Sequence, residues 1–137
     1  MSPLKLQSLS GQEYSIQPKD YRVYKNDTQK KSSLHLAARE LIRRLFPLEV
    51  ILEEVPAKLH AKKVLYVDFL IPARQLVIEV DGVQHLEKVS FFHKTDADFE
   101  KGVNNDNLKQ NWSEENNFTL IRLPYNRIED WRDLLVG

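Results

Sequence analysis

Two apolar segments joined by only three residues constrain what this chain can fold into more than any other feature. Residues 64–71 (Val-Leu-Tyr-Val-Asp-Phe-Leu-Ile) and 75–80 (Gln-Leu-Val-Ile-Glu-Val) are rich in the aliphatic, β-branched and aromatic side chains that favour strands. The linker, residues 72–74, begins with proline and is short enough for an antiparallel connection. The sequence therefore predicts a β-hairpin, and acids lie inside both of its strands.

The remaining pattern predicts helices and two further strands. Apolar residues recur at helical spacing after Ser32 and Ser33 until Phe46-Pro47 stops the run. The other expected elements are a strand over 50–55 ended by Pro56, a helix over 104–116, a strand over 118–123 and a short closing helix over 128–135. The order helix, three strands, helix, strand, helix is typical of an α/β fold. We therefore predict a central mixed sheet of about four strands flanked by helices.

Composition limits the kinds of site that the chain can carry. With 137 residues and 42% hydrophobic content, the chain is expected to form one domain over residues 31–137, preceded by a polar arm or extension over residues 1–30. The absence of cysteine excludes disulfides and thiolate zinc sites, which leaves histidine and carboxylates as possible metal ligands. No secretion signal or membrane-spanning run is apparent, so we expect a cytoplasmic protein that does not enter membranes.

Charge is balanced overall but unevenly distributed. The 20 basic and 20 acidic residues cancel, so net charge gives no reason to expect a polyanionic partner. Basic residues are nevertheless concentrated before Asp68, and a local basic face is compatible with a neutral molecule. The candidate DNA contacts in this stretch are Arg39, Arg43, Lys62 and Lys63. The alternative is an ordinary solvated surface of mixed charge.

Three acids in the hairpin, Asp68, Glu79 and Asp81, form the candidate site. Residues of a strand alternate between faces, so Glu79 and Asp81 point the same way, and the neighbouring strand can bring Asp68 alongside. An unpaired buried carboxylate costs several kcal/mol, whereas a hard cation such as Mg²⁺ or Mn²⁺ binds such oxygens. The alternative is that Asp68 and Asp81 cap strand ends, with Asp81-Gly82 as a turn. A turn does not explain Glu79, which lies between Ile78 and Val80.

The order of these motifs resembles the PD-(D/E)XK nuclease superfamily. Its signature is an acid on one strand, followed on the next strand by acid-X-lysine; here Asp68 is followed by Glu79-Val80-Asp81, so an aspartate stands where lysine is expected. The wider pattern is similar to the very-short-patch-repair-endonuclease-like branch: Val67-Asp-Phe-Leu-Ile-Pro72, Val77-Ile-Glu-Val-Asp-Gly82, Gln84-His85, Asp106 with Lys109, and Thr119-Leu-Ile-Arg-Leu123. The similarity covers about residues 33 to 126.

The resemblance implies a restriction-endonuclease-like fold and a divalent-metal site. Asp68 and Glu79 correspond to the main ligands of Mg²⁺ or Mn²⁺, and the Val80 carbonyl to an additional oxygen. Asp81 would bind a second metal or orient a water molecule. Glu40, on the first helix, corresponds to an acid that supports a metal-bound water, unless it simply pairs with Arg43 or Arg44.

Three further residues complete the expected chemistry. His85 is the candidate general base or phosphate contact, because an imidazole titrates near neutral pH. Gln84 would place the attacking water or a phosphate. Lys109 would replace the missing motif lysine from the following helix and stabilise charge on the phosphate, unless it is a solvated lysine that pairs with Asp106.

The function expected from this set is Mg²⁺- or Mn²⁺-dependent hydrolysis of DNA phosphodiester bonds by an endonuclease of the nicking, junction-resolving or homing type. One site per small chain would require a homodimer or successive nicks to cut both strands. A second interpretation is a catalytically inactive module of the same fold that binds DNA or a protein. A third is a structural protein whose acids only cap strands.

Overall fold

The computed structural model describes residues 2–23, 31–82 and 96–137, with side chains in the third range described from residue 104. A β-hairpin and then an α/β unit follow one another along the chain. In chain order the elements are β1 (Leu4–Gln7), β2 (Glu13–Ile16), α1 (Ser33–Leu45), β3 (Leu52–His60), β4 (Lys63–Ile71), β5 (Leu76–Asp81), α2 (Asp96–Glu115), β6 (Thr119–Pro124) and α3 (Trp131–Val136).

Four strands form one mixed sheet in the order β3-β4-β5-β6. β3, β4 and β5 are antiparallel neighbours, whereas β6 returns parallel to β5 after α2. The predicted α/β fold with a four-stranded mixed sheet is confirmed at this level. Two boundaries were wrong by several residues. β3 runs through Pro56 to His60, because β3 is an edge strand, where a residue without an N–H is tolerated. The helix predicted over 104–116 begins earlier, at Asp96.

The sheet is covered on both faces, and each face has its own apolar core. On one face α1 and α3 contribute Ala38, Ile42, Trp131 and Leu135 to a core that includes Phe69 and Ile78. On the other face Trp112 of α2 packs with Leu52, Val55, Leu70 and Val77, together with Leu6 and Ile16 of the N-terminal hairpin. Within the ranges given above, no helix is both long and apolar enough to cross a membrane.

The hairpin β1–β2 is attached to the second core by hydrogen bonds as well as by packing. The Tyr14 hydroxyl donates to the Pro56 carbonyl at 2.8 Å and accepts from the Trp112 indole at 3.0 Å. The Asn116 side-chain amide pairs with the backbone of Gln7, accepting at 2.7 Å and donating at 3.0 Å. The division of the chain into an arm and a nuclease-like domain near residue 30 stays a prediction.

Candidate functional site

Asp68 and Glu79 are locked together where the β4–β5 ladder ends. The backbone pairing runs from Ile71↔Leu76 to Phe69↔Ile78. Beyond the Phe69↔Ile78 pair, the backbone N–H groups donate to carboxylate side chains and not to backbone carbonyls. The N–H of Asp68 donates to Glu79 Oε2 at 2.6 Å, and the N–H of Val80 donates to Asp68 Oδ2 at 2.8 Å. The two acids that carry the sequence motif are therefore adjacent in the structure.

The strands change the face they present at the position of Asp68. Val67 packs in the core with Trp112, whereas Phe69 packs in the core with α1, although strict alternation would put both residues on one face. On β3 the residue opposite Asp68 is Glu54, whose φ of 54° is unusual for a residue other than glycine. Such backbone conformations cluster at functional sites and cost on the order of 1–3 kcal/mol each.

Lys109 reaches this pair from α2. Its Nζ lies 2.7 Å from Glu79 Oε1, and its side chain is only 17% exposed. Pairing with Asp106, the alternative considered from the sequence, is not the contact that forms: Asp106 Oδ1 lies 3.6 Å from Arg122 instead. The structure thus brings a lysine from another element to the second acid of the motif.

Glu79 holds its proton more tightly than an exposed glutamate does, in spite of the nearby Lys109 ammonium. Burial, followed by the negative charge of Asp68, raises the pKa of Glu79 to about 7, although the Lys109 ammonium acts in the opposite direction. A carboxyl group with such a pKa loses its proton readily when a positively charged group or ion comes close to it.

Asp81 has a different environment, on the same face of β5 as Glu79. It is buried and lies 3.4 Å from Arg122 Nη1, on the neighbouring parallel strand β6. Arg122 also donates to the Asp106 carbonyl at 2.7 Å, so it ties Asp81 to α2. This role of Arg122 was not predicted, although an arginine within an apolar strand is itself a signal of a buried charge partner.

A buried polar triad of His35, Arg39 and Glu53 lies next to Asp68, and sequence reasoning missed it as well. Glu53 Oε2 accepts from His35 Nε2 at 2.6 Å and from Arg39 Nε at 3.0 Å, while Arg39 Nη2 donates to Oε1 at 3.1 Å. Burial alone raises the pKa of Glu53, but the hydrogen bonds and charges of His35 and Arg39 outweigh it and hold that pKa below its usual range.

This triad corrects the expectation for Arg39. The side chain is almost completely buried and paired with Glu53, so it does not offer its guanidinium to DNA. The reason is helical phase: Arg39 follows His35 by four residues and therefore lies on the same inward face of α1. Glu40 is exposed, about 140° round the helix from His35, so His35 and not Glu40 is the α1 side chain that turns towards Asp68.

A cavity of about 290 Å³ opens beside the two strands. Its lining includes His35 from α1, Asp68 from β4 and Val80 from β5, with Ser32, Leu34, Gly82 and Tyr125 around them. Asp68 Oδ1, the oxygen that Val80 does not use, lies 3.9 Å from His35 Nδ1. One carboxylate oxygen and one ring nitrogen therefore approach each other at the wall of a cavity large enough for a hydrated ion.

The other predicted site residues are further away or lie outside the described ranges. Arg43 is exposed and lines a separate groove of about 510 Å³ with Arg22, Phe46 and Glu49. Lys62 and Lys63 lie at the β3–β4 turn, and Lys63 is about 17 Å along β4 from Asp68. His85 and Gln84 fall outside the residues that the structure describes.

The donor atoms at the site are of the type that a hard divalent ion prefers, but they do not form a complete set of ligands. Asp68, Glu79 and the Val80 carbonyl supply oxygens, which are the ligand atoms that such an ion prefers. Over residues 2–23, 31–82 and 104–137, however, no three histidine or acidic side chains are grouped so as to hold an ion by themselves. Binding therefore requires Glu79 to share an oxygen that now accepts from Lys109 or from the Asp68 backbone.

Glu79 gives the fold a defined pH dependence. Because its pKa rises from 4.5 to about 7, the native state keeps a proton that the unfolded chain loses, and the free energy of unfolding falls as pH rises through this window. We expect Glu79→Gln, which mimics the protonated form, to remove on the order of 3 kcal/mol of that decline. Urea unfolding at pH 4.5 and pH 8 in EDTA measures the effect, with exposed Glu13→Gln as control. An unchanged decline in Glu79→Gln would contradict the assigned burial.

Comparison with known proteins yields one partial similarity. A 61-residue stretch, 44% of this chain, is 36% identical to uncharacterized protein 307L of Invertebrate iridescent virus 6. The matched stretch covers 31% of that viral protein, so the chain spans about a third of its length. No protein-family model matches the sequence, and no solved structure matches it.

Proposed function

We propose that this chain is a divalent-metal-dependent endonuclease of restriction-endonuclease-like fold, which hydrolyses DNA phosphodiester bonds at Asp68 and Glu79. The observation that carries the proposal is the interlock of these two carboxylates, with the Lys109 ammonium 2.7 Å from Glu79. Two acids and one lysine are the groups of the resembled motif, and here the lysine arrives from α2 because Asp81 occupies its usual place in the sequence.

The chain's own residues have separable tasks in this proposal. Asp68, Glu79 and the Val80 carbonyl would hold Mg²⁺ or Mn²⁺, which when bound polarises the phosphoryl group and activates water. Lys109 keeps Glu79 oriented and offsets negative charge as the phosphate enters. In the reaction, the water oxygen forms a bond to phosphorus, the phosphorus–oxygen bond to the leaving nucleotide breaks, and the leaving oxygen takes up a proton released by the water.

DNA contacts would come from side chains outside the acid cluster. Lys62, Lys63 and Arg43 are basic residues on the exposed parts of the β3–β4 turn and α1. Because the net charge is zero, we expect modest nonspecific affinity with a clear dependence on salt. Cutting both strands requires a homodimer or two successive nicks, since the described residues of one chain contain one such site.

One observation favours a second candidate, a catalytically inactive module of the same fold that binds DNA or a protein. Both oxygens of Glu79 and one of Asp68 already accept hydrogen bonds within the protein. An acid cluster satisfied in this way is stable without an ion. The two candidates differ in whether an added ion displaces these internal bonds.

Nicking assays with variants of Lys109 separate the candidates. Supercoiled, branched and mismatched DNA is incubated with the protein and Mg²⁺ or Mn²⁺. We expect nicking by the wild type, about 10- to 100-fold slower nicking by Lys109→Met because Glu79 loses its support, and partial recovery in Lys109→Arg. Lys19→Ala, an exposed lysine far from the acids in sequence, is the control. DNA binding without nicking under every metal condition would instead support the inactive module.

A further inference from the structure

We propose that His35 is a nitrogen ligand of the divalent ion, binding through Nδ1 beside Asp68 Oδ1. This inference rests on the proposed function. It adds a ligand to the same metal site, since His35 on α1 is not part of the acid motif of β4 and β5. In this inference, the buried triad of His35, Arg39 and Glu53 holds the ligand imidazole in place.

The hydrogen bonds of Glu53 fix which ring nitrogen of His35 is available. Arginine is always charged and only donates, and Arg39 donates to both oxygens of Glu53, at 3.0 Å and 3.1 Å. Glu53 is therefore a carboxylate that only accepts. Its 2.6 Å contact with His35 Nε2 places the ring proton on Nε2. A neutral His35 then has its lone pair on Nδ1, the nitrogen that approaches Asp68.

The distance between the two candidate ligand atoms suits a shared ion better than a direct bond. His35 Nδ1 and Asp68 Oδ1 are 3.9 Å apart, too far for a hydrogen bond. Two ligands that are each about 2.1 Å from one ion lie about 3.0 to 3.4 Å apart, depending on the coordination angle. A contraction of about 0.5 to 0.9 Å, within the reach of a small side-chain rotation, would complete the pair.

The imidazole is also held as metal-binding histidines usually are. Metal-bound histidine commonly donates its other N–H to a carboxylate, which fixes the tautomer and the ring orientation, and Glu53 is in that position. Phe69 stacks on the ring with centroids 4.7 Å apart and planes inclined by 23°. Because imidazole nitrogen binds Mn²⁺, Co²⁺ or Zn²⁺ better than Mg²⁺, the site should favour these transition-metal ions over Mg²⁺.

Electron paramagnetic resonance with Mn²⁺ tests this ligand without relying on activity. Mn²⁺ is titrated into the full metal-free chain to measure affinity, and pulsed spectra of the bound ion report coupling to ¹⁴N. We expect ¹⁴N coupling in the wild type and in His60→Gln, a control at an exposed histidine. In His35→Gln the coupling should disappear, and Mn²⁺ affinity should fall about tenfold or more.

A measurement on the wild type covers the case in which His35→Gln does not fold. In a long-range ¹H–¹⁵N spectrum, Zn²⁺ should shift the Nδ1 resonance of His35 while Nε2 keeps its proton. Bound Mn²⁺ without ¹⁴N coupling, coupling that persists in His35→Gln, or an unmoved Nδ1 resonance with Zn²⁺ bound would each overturn the inference and leave the carboxylate site standing. If the wild type binds neither ion, the metal site of the proposed function fails together with it.

Discussion

Asp68→Asn is expected to reduce metal-dependent nicking by about 10³-fold. The substitution is nearly isosteric, and the amide oxygen can still accept from the Val80 N–H that now donates to Oδ2 at 2.8 Å. The fold should therefore persist, while the charge that attracts the ion is lost. Asp68 also lines the cavity beside His35, with its Oδ1 3.9 Å from His35 Nδ1, and no other described acidic side chain lines that cavity.

The assay for this variant is nicking of supercoiled DNA over a range of Mg²⁺ and Mn²⁺ concentrations. Asp133→Asn, at an exposed aspartate on α3, is the matched control and should nick at the wild-type rate. Equal urea midpoints for the three proteins would show that the loss is chemical and not due to unfolding. Undiminished nicking by Asp68→Asn would reject the assigned site.

Glu53→Gln is expected to destabilise the fold by about 3–5 kcal/mol. Arg39 is 2% exposed and donates to both oxygens of Glu53, so the variant replaces the charged acceptor of a buried guanidinium by a neutral amide. The loss should be measured by urea unfolding at pH 7.

A double substitution separates the ion pair from simple packing. Arg39→Met combined with Glu53→Gln removes both charges and should cost clearly less than the sum of the two single changes, because no isolated charge remains buried. The lowered pKa of Glu53 adds a second check: its contribution to stability is present at neutral pH and is lost as pH falls through its folded-state pKa. A loss below about 1 kcal/mol in Glu53→Gln would contradict the burial assigned to Arg39.

The elements of the sheet were predictable because their patterns are local. Periodicity located α1 and β4 almost to the residue, and the linker of residues 72–74 forms the turn of the β4–β5 hairpin. The β1–β2 hairpin was missed because its strands are only four residues long and mixed in polarity. Their stability comes from Tyr14 and Asn116, whose partners lie 42 to 109 residues away in sequence.

The candidate site was predictable only in part, because some of its contacts join residues that are distant in the sequence. Alternation along the strands and the cost of burying a charge identified Asp68 and Glu79. The His35–Glu53 contact joins residues 18 apart and depends on the irregular backbone at Glu54, which periodicity does not reveal. Arg39 was wrongly predicted to be an exposed DNA contact, because arginine is usually a surface residue and its buried acid partner, Glu53, could not be identified from the sequence.

The most direct test of the account is a crystal structure of the chain soaked in Mn²⁺, with the ion located by its anomalous scattering. The account predicts one ion within about 2.3 Å of both Asp68 Oδ1 and an oxygen of Glu79, with Lys109 displaced from its present 2.7 Å contact with Glu79 Oε1 or sharing that oxygen. An ion bound elsewhere, or acids that keep all their internal hydrogen bonds at saturating Mn²⁺, would contradict it.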